Sequence, residues 1–270
     1  MSKIVDKDRF YYNPDFLGSP QGRSVRILSE YYGPLQRLKR KKIADTIVFF
    51  GSARTPSKGD AQAALDNAPK DIDKQSLKRL KTDLKMSQYY EDARVLAGKF
   101  TTWSKGLKGT KRRYIICSGG GSGIMEASNR GAAEADGISV GLTISLPFES
   151  SGNEWISDAL DMKFHYFFMR KFWFLYLAKA LIVWPGGFGT LDELMELLTL
   201  IQTKKIKNRL PIVLYGKEFW QNVVNWEYLV DVGTISPEDL DLFHISEDID
   251  DAYKYVTTFI EQHQLKGPNF

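Results

Sequence analysis

Two cations and two acids in this chain could do chemistry if folding brings them together. Arg170 and Lys171 lie in FHYFFMRKFWFLYLAKA, and Asp192 and Glu193 lie in PGGFGTLDE. The first stretch, Phe164 to Ala180, is apolar or aromatic on nearly every side of a helix, which predicts a buried helix. Burying two cations without partners costs several kcal/mol, so an anion is required beside them, either a protein carboxylate (Glu126, Asp192 or Glu193) or a ligand. Arginine suits bidentate recognition of phosphate or carboxylate. In the second stretch, the apolar run Ala180 to Trp184 ends at Pro185-Gly186-Gly187. From Thr190 onward apolar residues recur at helical spacing (Leu191, Leu194, Leu197, Leu198, Ile201). That is a strand, a glycine turn and a helix. Glycines let a ligand approach the backbone, and the unpaired N–H groups of a first helical turn favour an anion such as phosphate. The spacing places Asp192 and Glu193 in that first turn, where the helix dipole helps to keep them ionised. An ordinary tight turn with helix-capping acids has the same outline.

A second loop of the same kind strengthens the phosphate reading. Tyr114 to Ser118 is a strand candidate, and GGGSGIMEASNRGAAEADG follows it, with Gly119, Gly121 and Ser122 as backbone donors. A third strand candidate, Thr46 to Phe50, runs into Gly51-Ser52-Ala53-Arg54. The next strand candidate, Ile138 to Leu146, ends in Pro147 where a dinucleotide fingerprint requires an acid for the ribose, so a mononucleotide or sugar phosphate fits better than NAD.

These loops need a scaffold, and the pattern supplies one. Leu210 to Tyr215 is a further buried strand, and at least five apolar strands alternate with helical segments, which predicts a doubly wound parallel α/β sheet. Ligands in such sheets bind at the carboxyl ends of strands, where every glycine loop here falls. Residues 1–45 form an aromatic, proline-containing arm and a helix around Arg26 to Arg40, expected to pack on the body or on a neighbouring subunit. Residues 46–270 form the single nucleotide-binding domain. A charged, alanine-rich helical insertion occupies about 57–87, a sheet-covering helix follows at Tyr89 to Trp103, and Phe219 to Val230, Ser236 to Leu242 and Asp250 to Gln264 close the fold.

Composition excludes several classes. No run approaches the roughly 18 to 20 apolar residues that span a bilayer, and the amino terminus lacks a signal peptide's apolar core, so no membrane partner and a cytoplasmic location are expected. The single cysteine, Cys117, reads as a buried thiol, and the scattered His165, His244 and His263 make no metal cluster. Net charge is +4. The basic runs Arg37 to Lys42 and Lys108 to Arg113 lack interleaved aromatics and read as solvated loops, so no nucleic-acid partner is expected.

Taken together, GSARTPS, SGGGSGIMEASNRGAAEADG, FMRK and PGGFGTLDE resemble the LOG ("lonely guy") proteins, a family also labelled "putative lysine decarboxylase", over about residues 45–217. The wording GGGSGIMEASNRGA, FHYFFMRK and TLIQTKK is similar to the longer, second-type members, while the arm and the insertion depart from the short ones. The resemblance implies a Rossmann-like fold and a phosphoribohydrolase that cleaves the N-glycosidic bond of nucleoside 5′-monophosphates, AMP or the cytokinin riboside monophosphates of cytokinin biosynthesis, to free base and ribose 5-phosphate. It implies Arg170 and Glu193 as the catalytic pair and Gly186, Gly187, Gly189 and Thr190 as the phosphate holder. Gly51, Ser52, Gly119, Gly120, Gly121, Ser122, Glu126, Met169, Lys171 and Pro185 complete the expected substrate site. A homodimer or larger homo-oligomer is implied too, with the apolar stretch Phe164 to Leu181 as a candidate interface. An ionised carboxylate suits the oxocarbenium-like sugar of glycosidic cleavage, and an arginine can fix phosphate or carboxylate against it. No cofactor is expected: nothing marks Lys171 or Lys179 as a pyridoxal Schiff-base lysine. The alternatives are a nucleotide-binding module without turnover and a phosphotransferase, although the GxxxxGK[ST] pattern is absent.

Overall fold

The computed structural model describes residues 9–109, 111–145, 152–206, 209–263 and 266–269. Residues 1–8 of the arm, Thr110, Leu146, Pro147 and Gln264 lie outside them. A seven-stranded parallel sheet carries the fold in the order β4-β3-β2-β1-β5-β6-β7. A short helix α1 (Pro14–Gly18) and the longer α2 (Arg23–Arg40) come first. Then β1 (Thr46–Phe50) takes the centre of the sheet, buried at every residue because helices cover both of its faces. Helices α3 (Lys58–Asp66) and α4 (Lys74–Lys105) lead to β2 (Ile115–Ser118), α5 (Ile124–Glu134) and β3 (Ser139–Ile144) on one side. The chain continues through β4 (Asp161–Phe164) and α6 (Phe167–Tyr176), returns beside β1 as β5 (Ala178–Val183), and passes through α7 (Phe188–Gln202) to β6 (Ile212–Tyr215). It closes with α8 (Lys217–Val223), α9 (Trp226–Asp231), β7 (His244–Ser246) and α10 (Ile249–His263).

The expected doubly wound architecture is present, with local differences that have physical reasons. The stretch Phe164 to Ala180 is not one helix. Phe164 ends β4, Leu177 caps α6, and Ala178 to Ala180 already belong to β5. Nor is it buried all round, since Phe167 and Phe168 are about half exposed. The insertion and the helix after it are continuous. Asp73 accepts from Gln75 N and Ser76 N at 2.8 and 2.9 Å and starts a helix that runs unbroken to Lys105. Its buried residues, among them Tyr90, Ala93, Leu96, Ala97 and Phe100, recur at three- and four-residue steps only in the second half. The segment expected as one helix from Phe219 to Val230 breaks at Val224, with Asn225 capping α9.

The arm helix α2 packs on the body and steadies α6. The Glu30 carboxylate accepts from the backbone N–H groups of His165 and Tyr166 at 2.7 and 3.2 Å, capping the amino end of α6. Trp173 Nε1 donates to Glu30 O at 2.9 Å, and Arg26 Nε reaches Tyr166 Oη at 3.2 Å. A helix of apolar and aromatic residues thus gains a fixed orientation from polar contacts at its amino end and at the buried Trp173. Among the described residues no helix is long and apolar enough to cross a membrane.

Candidate functional site

Strand order reverses between β1 and β5, and the loops leaving their carboxyl ends part there. A cavity of about 560 Å³ occupies the gap. Gly51, Ser52, Gly119, Arg170, Gly187, Gly189, Thr190 and Glu193 line it, all named from the sequence. The loops are stitched to one another. Ser52 N donates to Pro185 O at 3.0 Å, Ile124 N to Ser52 O at 3.1 Å, and Ser122 Oγ to Ala53 O at 2.8 Å. Gly123 makes the join possible: its φ is +65°, and a Cβ there would lie 2.3 Å from Ser52 O. Three strand ends therefore present one rigid floor.

Helix α7 begins at Phe188, with Gly187 as its N-cap and no side chain capping it. Its first N–H groups have no intrahelical partner, and a Cβ on Gly187 or Gly189 would meet nothing within 4 Å. An anion can reach that backbone. Gly186 has a different reason to be glycine, because a Cβ there would collide with Thr190 Oγ1 at 2.2 Å. Since the helix starts at Phe188, Asp192 and Glu193 lie in its second turn, and the first turn holds no acid. The expectation that the helix end keeps both ionised is corrected for Glu193. It is 5% exposed, and burial pushes its carboxyl up to about 7 against the pull of Arg170 and Lys171.

Arg170 faces Glu193 with Nη2 to Oε1 at 3.7 Å, an ion pair without a hydrogen bond. Burial lowers the guanidinium below its ordinary value, Nε is buried without a partner, and the rings of Phe167 and Phe174 lie 5.0 and 5.6 Å from Cζ. Lys171 turns elsewhere, pairing with Asp192 at 2.9 Å and Glu196 at 2.6 Å. The sequence-level choice between a protein partner and a ligand thus divides: Lys171 is fully engaged by α7, and Arg170 is only partly so.

The remaining expected residues support the floor from behind. Asn153 Nδ2 donates to the carbonyls of Gly120 and Gly121 at 3.1 and 2.9 Å, and to Asn129 Oδ1 at 3.0 Å. Ser118 Oγ donates to the same Asn129 oxygen at 2.8 Å, so a buried amide network fixes the second glycine loop. Glu126 accepts from Tyr90 Oη at 2.7 Å and points toward α4, while Met169 is buried. Neither Glu126, Met169 nor Lys171 is on the cavity wall. Phe50, Arg54, Met125, Phe174 and Leu191 are on it and were not among the expected residues. The apolar ones read as core in the sequence; Arg54 carried a signal, a cation directly after Gly51-Ser52-Ala53. Among the described residues no group of His, Cys, Asp or Glu could hold a metal ion.

Residues 125–256 match the family model described as "Possible lysine decarboxylase". An Escherichia coli (strain K12) protein named "Pyrimidine/purine nucleotide 5'-monophosphate nucleosidase" is 32% identical over 114 residues, covering 39% of this chain and 25% of that protein. Proteins of the same name from E. coli O6:H1 and O157:H7 match to the same extent. The chain spans about a quarter of the length of these curated relatives. Two solved structures cover 81% of this chain and 99% of their own: the structural-genomics target TM1055, at 19% identity and TM-score 0.46, and the Moco carrier protein from Chlamydomonas reinhardtii, at 17% and 0.43. Over residues 125–256, from α5 into α10, the chain is thus similar to the family described as "Possible lysine decarboxylase".

Proposed function

We propose that this protein hydrolyses the N-glycosidic bond of nucleoside 5′-monophosphates, releasing the free base and ribose 5-phosphate, with AMP and cytokinin riboside monophosphates as candidate substrates. One observation carries the reading: a buried, incompletely satisfied Arg170–Glu193 pair on the wall of a cavity that opens onto the bare N-terminus of α7. The name of the E. coli relatives is consistent with it.

The phosphate docks on the N–H groups around Gly187, Gly189 and Thr190, which places the ribose between α7 and α6. The C1′–N bond breaks with its electron pair leaving on the base. As C1′ becomes oxocarbenium-like, the Glu193 carboxylate stabilises it and takes a proton from the water that adds to C1′; the departing base takes up a proton in turn. The sum is nucleotide plus water to base plus ribose 5-phosphate. Arg170, wedged between two rings, holds the carboxylate and the sugar phosphate in register. A carboxyl near 7 can exchange protons at neutral pH without a strong driving force either way, which suits a general base.

For the lysine decarboxylation named in the family description, neither Lys171 nor Lys179 is free to act. Lys171 is held by two carboxylates, and Lys179 is 0% exposed, bonded to Gly267 O and Asn269 Oδ1 at the start of β5, the end of the strand away from the cavity. We also propose a homodimer. Phe167, Phe168 and, at 93% exposure, Phe188 leave large apolar side chains in solvent around the site, a cost that a second copy of the chain would remove. Light scattering then gives about twice the 30.8 kDa chain mass. Incubation with AMP without added metal, followed by chromatography for adenine and ribose 5-phosphate beside Glu193→Gln, tests the activity; no release from AMP or isopentenyl-adenosine monophosphate overturns it.

A further inference from the structure

We infer that Arg54 is the residue that makes the cavity select a phosphomonoester over the corresponding nucleoside; the inference rests on the nucleotide reading above. The cavity wall carries two cations among the described residues, Arg54 and Arg170. Arg170 already faces Glu193, so its charge is shared with a protein carboxylate. The Arg54 side chain is exposed and has no hydrogen bond, ion pair or ring contact with any described residue. A phosphate monoester is close to a dianion at neutral pH, and one helix N-terminus offers only about half a unit charge to meet it. A second cation is needed, and Arg54 is the uncommitted one.

Its backbone is prepared for the task. Arg54 N donates to Ser52 Oγ at 3.0 Å, which folds the loop back on itself. Ser52 N is tied to Pro185 O, one residue before the glycine turn that starts α7, and Ser52 O receives Ile124 N. Ser122 Oγ holds Ala53 O from the other side. The segment is thus pinned on both flanks next to the α7 N-terminus while its cation stays free. An arginine held this way presents a planar, bidentate donor set at little entropic cost from the loop itself. Elsewhere on the surface Arg79 is paired with Asp83 and Lys85 with Glu218.

The test is binding rather than turnover. Calorimetric titration of Glu193→Gln protein with AMP and with adenosine is compared with Glu193→Gln/Arg54→Gln and Glu193→Gln/Arg54→Lys. Loss of a charge-assisted phosphate contact weakens AMP about 10- to 100-fold, leaves adenosine within about two-fold, and is partly restored by lysine, a point charge without the bidentate fork. Equal weakening of AMP and adenosine would place Arg54 on the nucleoside and overturn the inference. Unchanged AMP binding in Arg54→Gln would overturn it as well, with the nucleotide reading intact. Failure of Glu193→Gln and of the parent protein alike to bind AMP would remove both.

Discussion

At the amino end of the sheet Asp45 is 1% exposed and receives Arg113 Nε at 2.9 Å, Arg113 Nη2 at 2.7 Å and Tyr114 N at 2.6 Å. Lys179, fully buried nearby, gives its protons to Gly267 O at 2.6 Å and Asn269 Oδ1 at 3.0 Å, and Asn269 in turn donates to Leu175 O and Ala178 O. At the carboxyl end, Arg170 and Glu193 are buried nearly as deeply, yet they meet at 3.7 Å with Nε unpartnered. The amino-end charges have their hydrogen bonds closed by protein, and the chain's last residues serve as part of the closure. The carboxyl-end charges are left open toward a cavity. Burial alone therefore does not mark a functional charge in this fold. Burial with unfinished hydrogen bonding, facing a space that a ligand can enter, is the mark on which the proposed site rests.

That contrast can be broken by substitution. Glu193→Gln keeps shape and loses the carboxylate, so AMP hydrolysis is expected to fall by about 10³-fold, within the range for a lost general base or charge-stabilising group. The assay is initial-rate release of adenine. Asp45→Ala at the other end is expected to cost about 3 kcal/mol, because it leaves a buried N–H and a guanidinium without their partner. Urea unfolding measures it, and kcat/KM for AMP is expected to stay within about two-fold. Comparable activity losses in both variants would erase the distinction between the two ends.

A smaller effect sharpens the comparison from the stability side. Burial raises the folded-state carboxyl of Glu193 from an ordinary 4.5 to about 7. The folded protein thus holds this proton more tightly than the unfolded chain does. Stability from this group is complete below about 4.5 and is lost as pH rises through 7. Glu193→Gln removes that loss, so the variant is expected to be more stable than the parent by about 3 kcal/mol at pH 8, with the difference vanishing toward pH 4. Denaturant midpoints across that range check the sign. A site that stabilises its protein when disabled is one that holds strain for function.

How much of this was legible in the sequence depended on how each element is buried. The central strands β1, β2, β3, β5 and β6 are covered on both faces, so they appear as apolar runs ending in glycine or small residues, and the loops that build the site could be placed from them. The edge strands left no such trace. β4 alternates exposed and buried residues over Asp161 to Phe164, and β7 is His244 to Ser246, too short and polar to stand out. The aromatic stretch around Arg170 misled because strand ends and helix share one composition there. Arg170 was readable because a cation in an apolar stretch calls for an anion, and the glycine turn because it follows an apolar strand; Glu193 came with the family resemblance. Phe50, Met125, Phe174 and Leu191 were not, since an apolar cavity wall and an apolar core are spelled alike.

The most direct measurement of the central claim is the pH dependence of kcat/KM for AMP in the parent protein and in Glu193→Gln. With the carboxylate as the working form, the parent's rate falls tenfold per unit below an apparent value near 7, set by the burial of Glu193. The substrate's own phosphate titrates near 6, about one unit lower, so the variant provides the control. The account expects the limb near 7 to disappear in Glu193→Gln, leaving a low residual rate shaped only by the phosphate. A limb near 7 that persists in the variant, or a parent profile flat down to an ordinary carboxylate value, would contradict it.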